Sequence, residues 1–203
     1  MKLVVGITGS LGSGKTEVAS LLKAKGARVF DADRAARAAL QKGEPAYQAA
    51  VKLFGTSFLK KNGDVDRQKL AARVFAHPKE LRQLNTLIHP GVIFDCLGQI
   101  ARVRREGGIL ALDVPLLFES RMDCLADFIV VVAAPASVVF ARAAKKGMPQ
   151  GLVRKILATQ WPTKKKAGRA DFVIENDGSR GELKEKVSEL WKQLQSLSTN
   201  KGA

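Results

Sequence analysis

Residues 9–16 read GSLGSGKT, and no other stretch constrains the fold of this chain as strongly. The string fits G-x-x-x-x-G-K-[ST], with Gly9, Gly14, Lys15 and Thr16 at the fixed positions. Glycines let the backbone curl so that successive N–H groups point at one anion. A helix that begins at the end of the string adds the partial positive charge of its N-terminus. The lysine reaches the β- and γ-phosphates of a nucleotide, and the hydroxyl at the last position ligates Mg²⁺. The motif has this meaning only between a strand and a helix, and the flanks supply both. Residues 3–7 form a short apolar run that reads as a buried strand. A helix should start near Gly14, with Val18, Leu21 and Leu22 at core spacing, and stop at Gly26. A nucleoside triphosphate is therefore expected on Gly9, Leu11, Gly12, Ser13, Gly14, Lys15, Thr16 and Glu17, with Thr16 on the metal. A chance glycine-rich turn would lack this context.

Further strands are expected over 28–30, 109–112, 128–133 and 172–174, separated by helical stretches. That alternation predicts an α/β fold, a parallel sheet with helices on both faces. Between residues 34 and 106 the pattern is helical, with breaks at Gly43 and Pro45, at Asn62-Gly63, at His77-Pro78 and at His89-Pro90. This block is too long for a simple crossover, so it reads as a helical insertion over the strand ends, where ligands bind in such folds. Pro135 can open a helix, and a last helix should cover about 180–197.

Composition narrows the partners. The net charge of +15 favours anions: nucleic acid, an anionic membrane or a phosphate-rich small molecule. Aromatic residues make up 6 %, which argues mildly against a surface that stacks single strands. No apolar run is long enough to span a membrane, and the short apolar start reads as a strand rather than a signal peptide. Cys96 and Cys124 are the two cysteines, at no metal or redox spacing, and are expected to be buried free thiols of a cytoplasmic protein.

Several residues could serve a phosphoryl acceptor. Asp31-Ala32-Asp33 leaves the second strand at the edge where the phosphate loop sits. A carboxylate there could take the proton of an attacking hydroxyl, or one aspartate could cap the next helix. Asp113 ends an apolar strand, where it could organise Mg²⁺ or simply turn the chain before Pro115. His89 before Pro90 reads by itself as a helix boundary. Residues 128–170 hold nine lysines and arginines and no acid. Most of these would form a solvated face, but on an arm near the loop they could stabilise charge on a moving phosphoryl group. Arg142 is the leading catalytic candidate there, with Lys145 and Lys146 one turn on.

Taken in order, ITGSLGSGKT, VFDADRAAR (29–37), LNTLIHPGV (84–92), LDVPLLFES (112–120), ILATQ (156–160) and ADFVIENDGS (170–179) resemble the dephospho-coenzyme A kinase family over almost the whole chain. The loop is generic; the DAD string, the His-Pro pair and PLLFE at these separations are much more specific. The resemblance implies a P-loop three-layer sandwich with a helical substrate-binding insertion and a small helical lid. Its parts would be a nucleotide-binding core (1–33, 107–140 and 168–203), an acceptor domain (34–106) and a lid (141–167). It implies transfer of a phosphoryl group from ATP, with Mg²⁺, to the ribose 3′-hydroxyl of dephospho-coenzyme A. Catalysis would fall to Asp33 as general base, Lys15 and Arg142. The acceptor would be held by Asp33, Arg37, His89, Pro115, Leu116, Phe118 and Glu119. A multiply phosphorylated acceptor explains the basic surface without nucleic acid or membrane, in a monomer or weak homo-oligomer. Two departures stand out: GSLGSGKT where the family often has GGIGSGKS, and Lys145 about where it usually carries an arginine. The competing readings are a P-loop kinase for a nucleoside monophosphate or other small metabolite, and a basic nucleic-acid-binding protein regulated by ATP. A GTPase is disfavoured by the lack of an N-K-x-D string.

Overall fold

The computed structural model describes residues 2–200, with side chains as far as residue 197. Five strands form one sheet: β1 (Lys2–Gly9), β2 (Arg28–Asp31), β3 (Gly108–Asp113), β4 (Phe128–Ala133) and β5 (Phe172–Glu175). The order is β2-β3-β1-β4-β5, and every pairing is parallel. A parallel strand covered on both faces must be apolar throughout rather than at alternate positions, and β1 is buried from Leu3 to Gly9.

One sheet face carries Leu3, Val5, Ile7, Ile109, Ala111, Val130, Val132 and Ile174. Against it lie α1 (Lys15–Ala24), through Val18, Ala19 and Leu22, and α9 (Arg180–Asn200), through Leu183, Val187, Leu190 and Leu194. On the other face the chain after β3 approaches so closely that a Cβ on Gly6 would lie 2.8 Å from Leu117. The turn Met122–Leu125 is a short 3₁₀ segment. Cys124 is exposed on it, its thiol donating to the Arg121 carbonyl at 3.1 Å. Cys96 is buried. The expectation of two buried thiols thus fails for Cys124, because a single 3₁₀ turn at the surface gives its side chain no layer to enter.

The remaining helices are α2 (Ala32–Ala39), α3 (Pro45–Phe54), α4 (Arg67–Ala76), α5 (Pro78–Glu106), α6 (Ala136–Lys145), α7 (Gln150–Ala158) and α8 (Thr163–Ala167). The chain divides into two compact units, Met1–Asp31 with Gly98–Ala203, and Ala32–Leu97. The end of α5 and the stretch expected as a lid fall in the first. Arg104 explains the former: it donates to the Lys2 carbonyl at 2.7 Å and to Asp127 at 2.8 Å. Arg28 also meets Glu106 at 2.8 Å.

The second unit is helical, with the isolated bridge Leu59–Val65 in place of any strand. Asp66 caps α4 by accepting from the Gln68 and Lys69 N–H groups at 3.1 and 3.2 Å. Arg73 binds Glu80 at 2.6 Å and the Phe54 carbonyl at 2.7 Å. The break expected at His89-Pro90 does not occur: α5 runs through Pro90. A proline inside a helix costs about 3 kcal/mol or more. Leu84, Ile88, Val92 and Cys96 recur every four residues and are all buried. Burying a large apolar side chain contributes about 1.5–3 kcal/mol, so this stripe outweighs the lost hydrogen bond.

Candidate active site

The phosphate loop leaves β1 and enters α1 with three glycines at positive φ: Gly9 at 153°, Gly12 at 71° and Gly14 at 100°. Two of them also lack room for a side chain. A Cβ on Gly9 would fall 2.2 Å from the Val132 carbonyl oxygen, and one on Gly14 would fall 2.1 Å from the amide nitrogen of Asn176.

Lys15 is largely buried, and its ammonium donates back across the loop to the Ser10 carbonyl at 3.0 Å. Thr16 donates its hydroxyl proton to Asp113 at 3.2 Å. Asp113 is buried and ends β3 in register with Ile7 of β1 and Asp31 of β2. The carboxyl edge of the sheet therefore brings together the loop, Asp113 and Asp31. Thr16 and Asp113 form a pair of hard oxygen donors, the kind Mg²⁺ takes alongside water and phosphate oxygens.

The outer side of the loop is held by residues from far along the chain. Arg142 in α6 donates to the Gly12 and Ser13 carbonyls at 3.3 and 3.2 Å. Asn176, just beyond β5 and buried, donates to the Ser13 carbonyl at 2.7 Å and accepts from Arg142 at 3.3 Å. A trans peptide sets its carbonyl and N–H in opposite directions. Holding the Ser13 carbonyl outward therefore turns the Gly14 N–H inward. Gln160 accepts from the Leu11 N–H at 3.0 Å. The Ser13 hydroxyl is buried with no hydrogen-bond partner among the described residues. Glu17 binds Arg180 at 2.8 Å, which ties α1 to α9.

The PLLFE segment packs in the same unit. The Pro115 carbonyl accepts from the Thr8 hydroxyl at 3.0 Å and from the Lys166 ammonium at 2.9 Å. The Leu116 carbonyl accepts from the Ser120 hydroxyl at 2.7 Å. Phe118 stacks on Trp161 with centroids 5.7 Å apart. Glu119 accepts from the Trp161 N–H at 2.6 Å and pairs with Lys166 at 2.9 Å.

Of the basic stretch, Arg142 and Lys166 turn inward, and Lys165 and Arg169 lie over the Trp161 ring at 3.7 and 5.1 Å. Lys145 and Lys146 are exposed at the end of α6. In the helical unit, Asp33 stands exposed in the first turn of α2 with Arg37 one turn on, and His89 is half-buried in α5. Burial lowers the His89 pKa from its usual value.

Three structural contributors escaped individual assignment from sequence: Gln160, Lys166 and Asn176. Gln160 and Asn176 sit in strings quoted above, ILATQ and ADFVIENDGS, but an amide or a lysine carries no chemical signal until its partner is seen.

The family model for dephospho-CoA kinase matches residues 3–182. The chain is 37 % identical over 199 residues to the dephospho-CoA kinase of Geobacillus kaustophilus, covering 97 % of this chain and 99 % of that one. It is 41 % identical over 189 residues to that of Anaeromyxobacter dehalogenans, covering 92 % and 90 %. Among solved structures, TT1252 from Thermus thermophilus superimposes with a TM-score of 0.78 at 32 % identity, covering 95 % of this chain and 97 % of that one.

Proposed function

The chain belongs to the dephospho-CoA kinase family, and from that premise we propose how its own residues divide the work of moving the ATP γ-phosphoryl group. The protein is an ATP-dependent phosphotransferase acting on dephospho-CoA. One observation carries the assignment of the donor side: Lys15, Thr16 and the inward-turned Gly14 N–H lie on one loop at the carboxyl edge of the sheet, next to Asp113.

In this reading the loop N–H groups and the α1 N-terminus bind the phosphate oxygens. Lys15 leaves the Ser10 carbonyl for the β- and γ-phosphates and follows the charge as it shifts to ADP. Thr16 and Asp113 are the residues that would hold Mg²⁺, and the ion would supply positive charge for the triphosphate. Asp33 takes the proton of the ribose 3′-hydroxyl as that oxygen bonds to the γ-phosphorus and ADP departs. Its role rests on the DAD string, two residues beyond Asp31 in the chain. Arg37, His89 and the segment from Pro115 to Glu119 belong to the acceptor side. Arg142 supplies positive charge from the outer side of the loop.

Two phosphorylated substrates account for the net charge of +15 without nucleic acid or membrane. Among the described residues no helix is long and apolar enough to cross a membrane. The same reading makes the protein cytoplasmic, working as a monomer or weak homo-oligomer.

A coupled ADP-release assay over a panel of acceptors tests the reading. Turnover should appear with dephospho-CoA and not with nucleoside monophosphates, shikimate or sugars. Turnover with a nucleoside monophosphate, or with none of the acceptors, overturns it.

A further inference from the structure

We propose that Lys166 is a positioning residue for the acceptor side of the reaction, and that Glu119 acts through it. Lys166 has no exposed surface. Its ammonium donates to the Pro115 carbonyl at 2.9 Å and pairs with Glu119 Oε1 at 2.9 Å. The same Oε1 accepts the Trp161 N–H at 2.6 Å. Glu119 Oε2 is enclosed and has no hydrogen-bond partner among the described residues. Oε1 is thus committed to Lys166 and the Trp161 backbone N–H.

The arrangement fixes both ends of a five-residue segment. At Pro115, one carbonyl oxygen takes a hydroxyl proton from Thr8 in β1 and an ammonium proton from Lys166 in α8. At the other end, Glu119 and Phe118 are clamped by the Trp161 N–H and the Trp161 ring. Trp161 and Lys166 belong to one short stretch that begins at Gln160, whose side chain holds the Leu11 N–H of the phosphate loop. Residues 160–166 therefore tie the loop that binds the donor to the segment assigned to the acceptor.

Energetics argue that the pair serves geometry. Burying an ammonium and a carboxylate costs several kcal/mol per ion, and well-packed apolar residues are often as stable or more so. A buried pair bonded to one backbone carbonyl and one backbone N–H instead fixes where the intervening residues point. A small displacement of a substrate-positioning segment can cost on the order of 10²-fold in rate.

This inference rests on the reading that Pro115–Glu119 faces the acceptor, and the two fail differently. The functional reading fails if the wild-type protein does not use dephospho-CoA; the inference fails only in variants. Lys166→Met, Glu119→Gln and the double variant are assayed for kcat/KM toward dephospho-CoA and for the affinity of a fluorescent ATP analogue without acceptor. Each single change should lower kcat/KM for the acceptor by at least about tenfold, with nucleotide affinity within about twofold. The double variant should be no worse than the worse single, because both remove the same strut. Unchanged acceptor kinetics in folded Lys166→Met, or an equal loss of nucleotide affinity, overturns the inference. So does a double variant whose loss multiplies the two singles, since Glu119 would then touch the acceptor itself. If Lys166→Met does not fold, Glu119→Gln decides. It keeps the acceptor for the Trp161 N–H, and unchanged acceptor kinetics there also overturns the proposal.

Discussion

Replacing Gly14 by alanine imposes two costs that can be measured apart. The first is backbone strain: Gly14 has φ 100° and ψ 17°, a conformation that costs an L-residue about 1–3 kcal/mol. The second is the collision with Asn176, whose amide nitrogen lies 2.1 Å from where the new Cβ would be. Asn176 is buried and donates to the Ser13 carbonyl at 2.7 Å, so it cannot swing aside freely. Its retreat loses a hydrogen bond worth about 0.5–1.5 kcal/mol, while Arg142 still donates to the Ser13 carbonyl at 3.2 Å. Together these amount to about 1.5–4.5 kcal/mol, or a fall in Tm of roughly 3–18 °C for a chain of this size. In an Asn176→Ala background the second cost has already been incurred, so Gly14→Ala should add only the strain. A thermal-denaturation cycle over the four proteins should therefore show a coupling of about 1 kcal/mol. Affinity for ATP should fall at least about tenfold in Gly14→Ala, because the inward Gly14 N–H is displaced. A cycle that closes to within about 0.5 kcal/mol would refute the claim that Asn176 presses on the loop.

Asp33→Asn should lower kcat by about 10²–10⁴-fold while the KM for ATP moves little; an unchanged kcat in steady-state assays removes Asp33 from the base role. Arg142→Lys keeps the charge but cannot span the Gly12 and Ser13 carbonyls and Asn176 at once, so kcat/KM for ATP should drop about tenfold or more; wild-type values would contradict the clamp. Burial pushes the Cys96 thiol up to about 11. At pH 8 only about a thousandth of it is thiolate, so the native protein should react with one equivalent of a thiol reagent, at Cys124, and with two after unfolding. Hydrogen bonds from Arg102, Arg28 and Arg105 hold Glu106 down at about 2, below its ordinary 4.5. A depressed carboxylate contributes stability above its unfolded pKa and loses it as pH falls through the folded one. Glu106→Gln should therefore lower Tm at pH 6, and the difference should shrink as pH falls from about 4.5 toward 2, which a series of melts would show.

The sheet was legible because buried parallel strands are apolar runs that stop at turn residues. Residues 128–133 needed no other information. The loop was legible because its backbone geometry demands glycine at fixed places. Pro90 was misleading for the opposite reason: the local rule ends a helix there, and only the stripe of Leu84, Ile88, Val92 and Cys96, seen in its packing, shows why α5 continues. Cys124 was misread because burial was inferred from residue type without knowing that a surface turn carries it. The loop's outer clamp could not be read at all. Asn176 meets Ser13 across 163 residues and Gln160 meets Leu11 across 149. A side chain that binds a backbone group leaves no complementary residue type for a pattern to detect.

Those long-range contacts change how the phosphate loop itself should be understood. Its motif specifies the face that meets the anion, yet a peptide cannot turn its N–H inward unless its carbonyl is satisfied on the other side. For the Ser13–Gly14 peptide that partner is the pair of Arg142 and Asn176. A guanidinium has five N–H donors in a planar fork, and the loop carbonyls and Asn176 take three hydrogen bonds from it. Arg142 can hold the loop and still direct charge toward a phosphate, which an ammonium on a flexible stem cannot do. The arginine that α6 supplies at 142 therefore matters to the loop's shape, whereas Lys145, one turn on, is exposed.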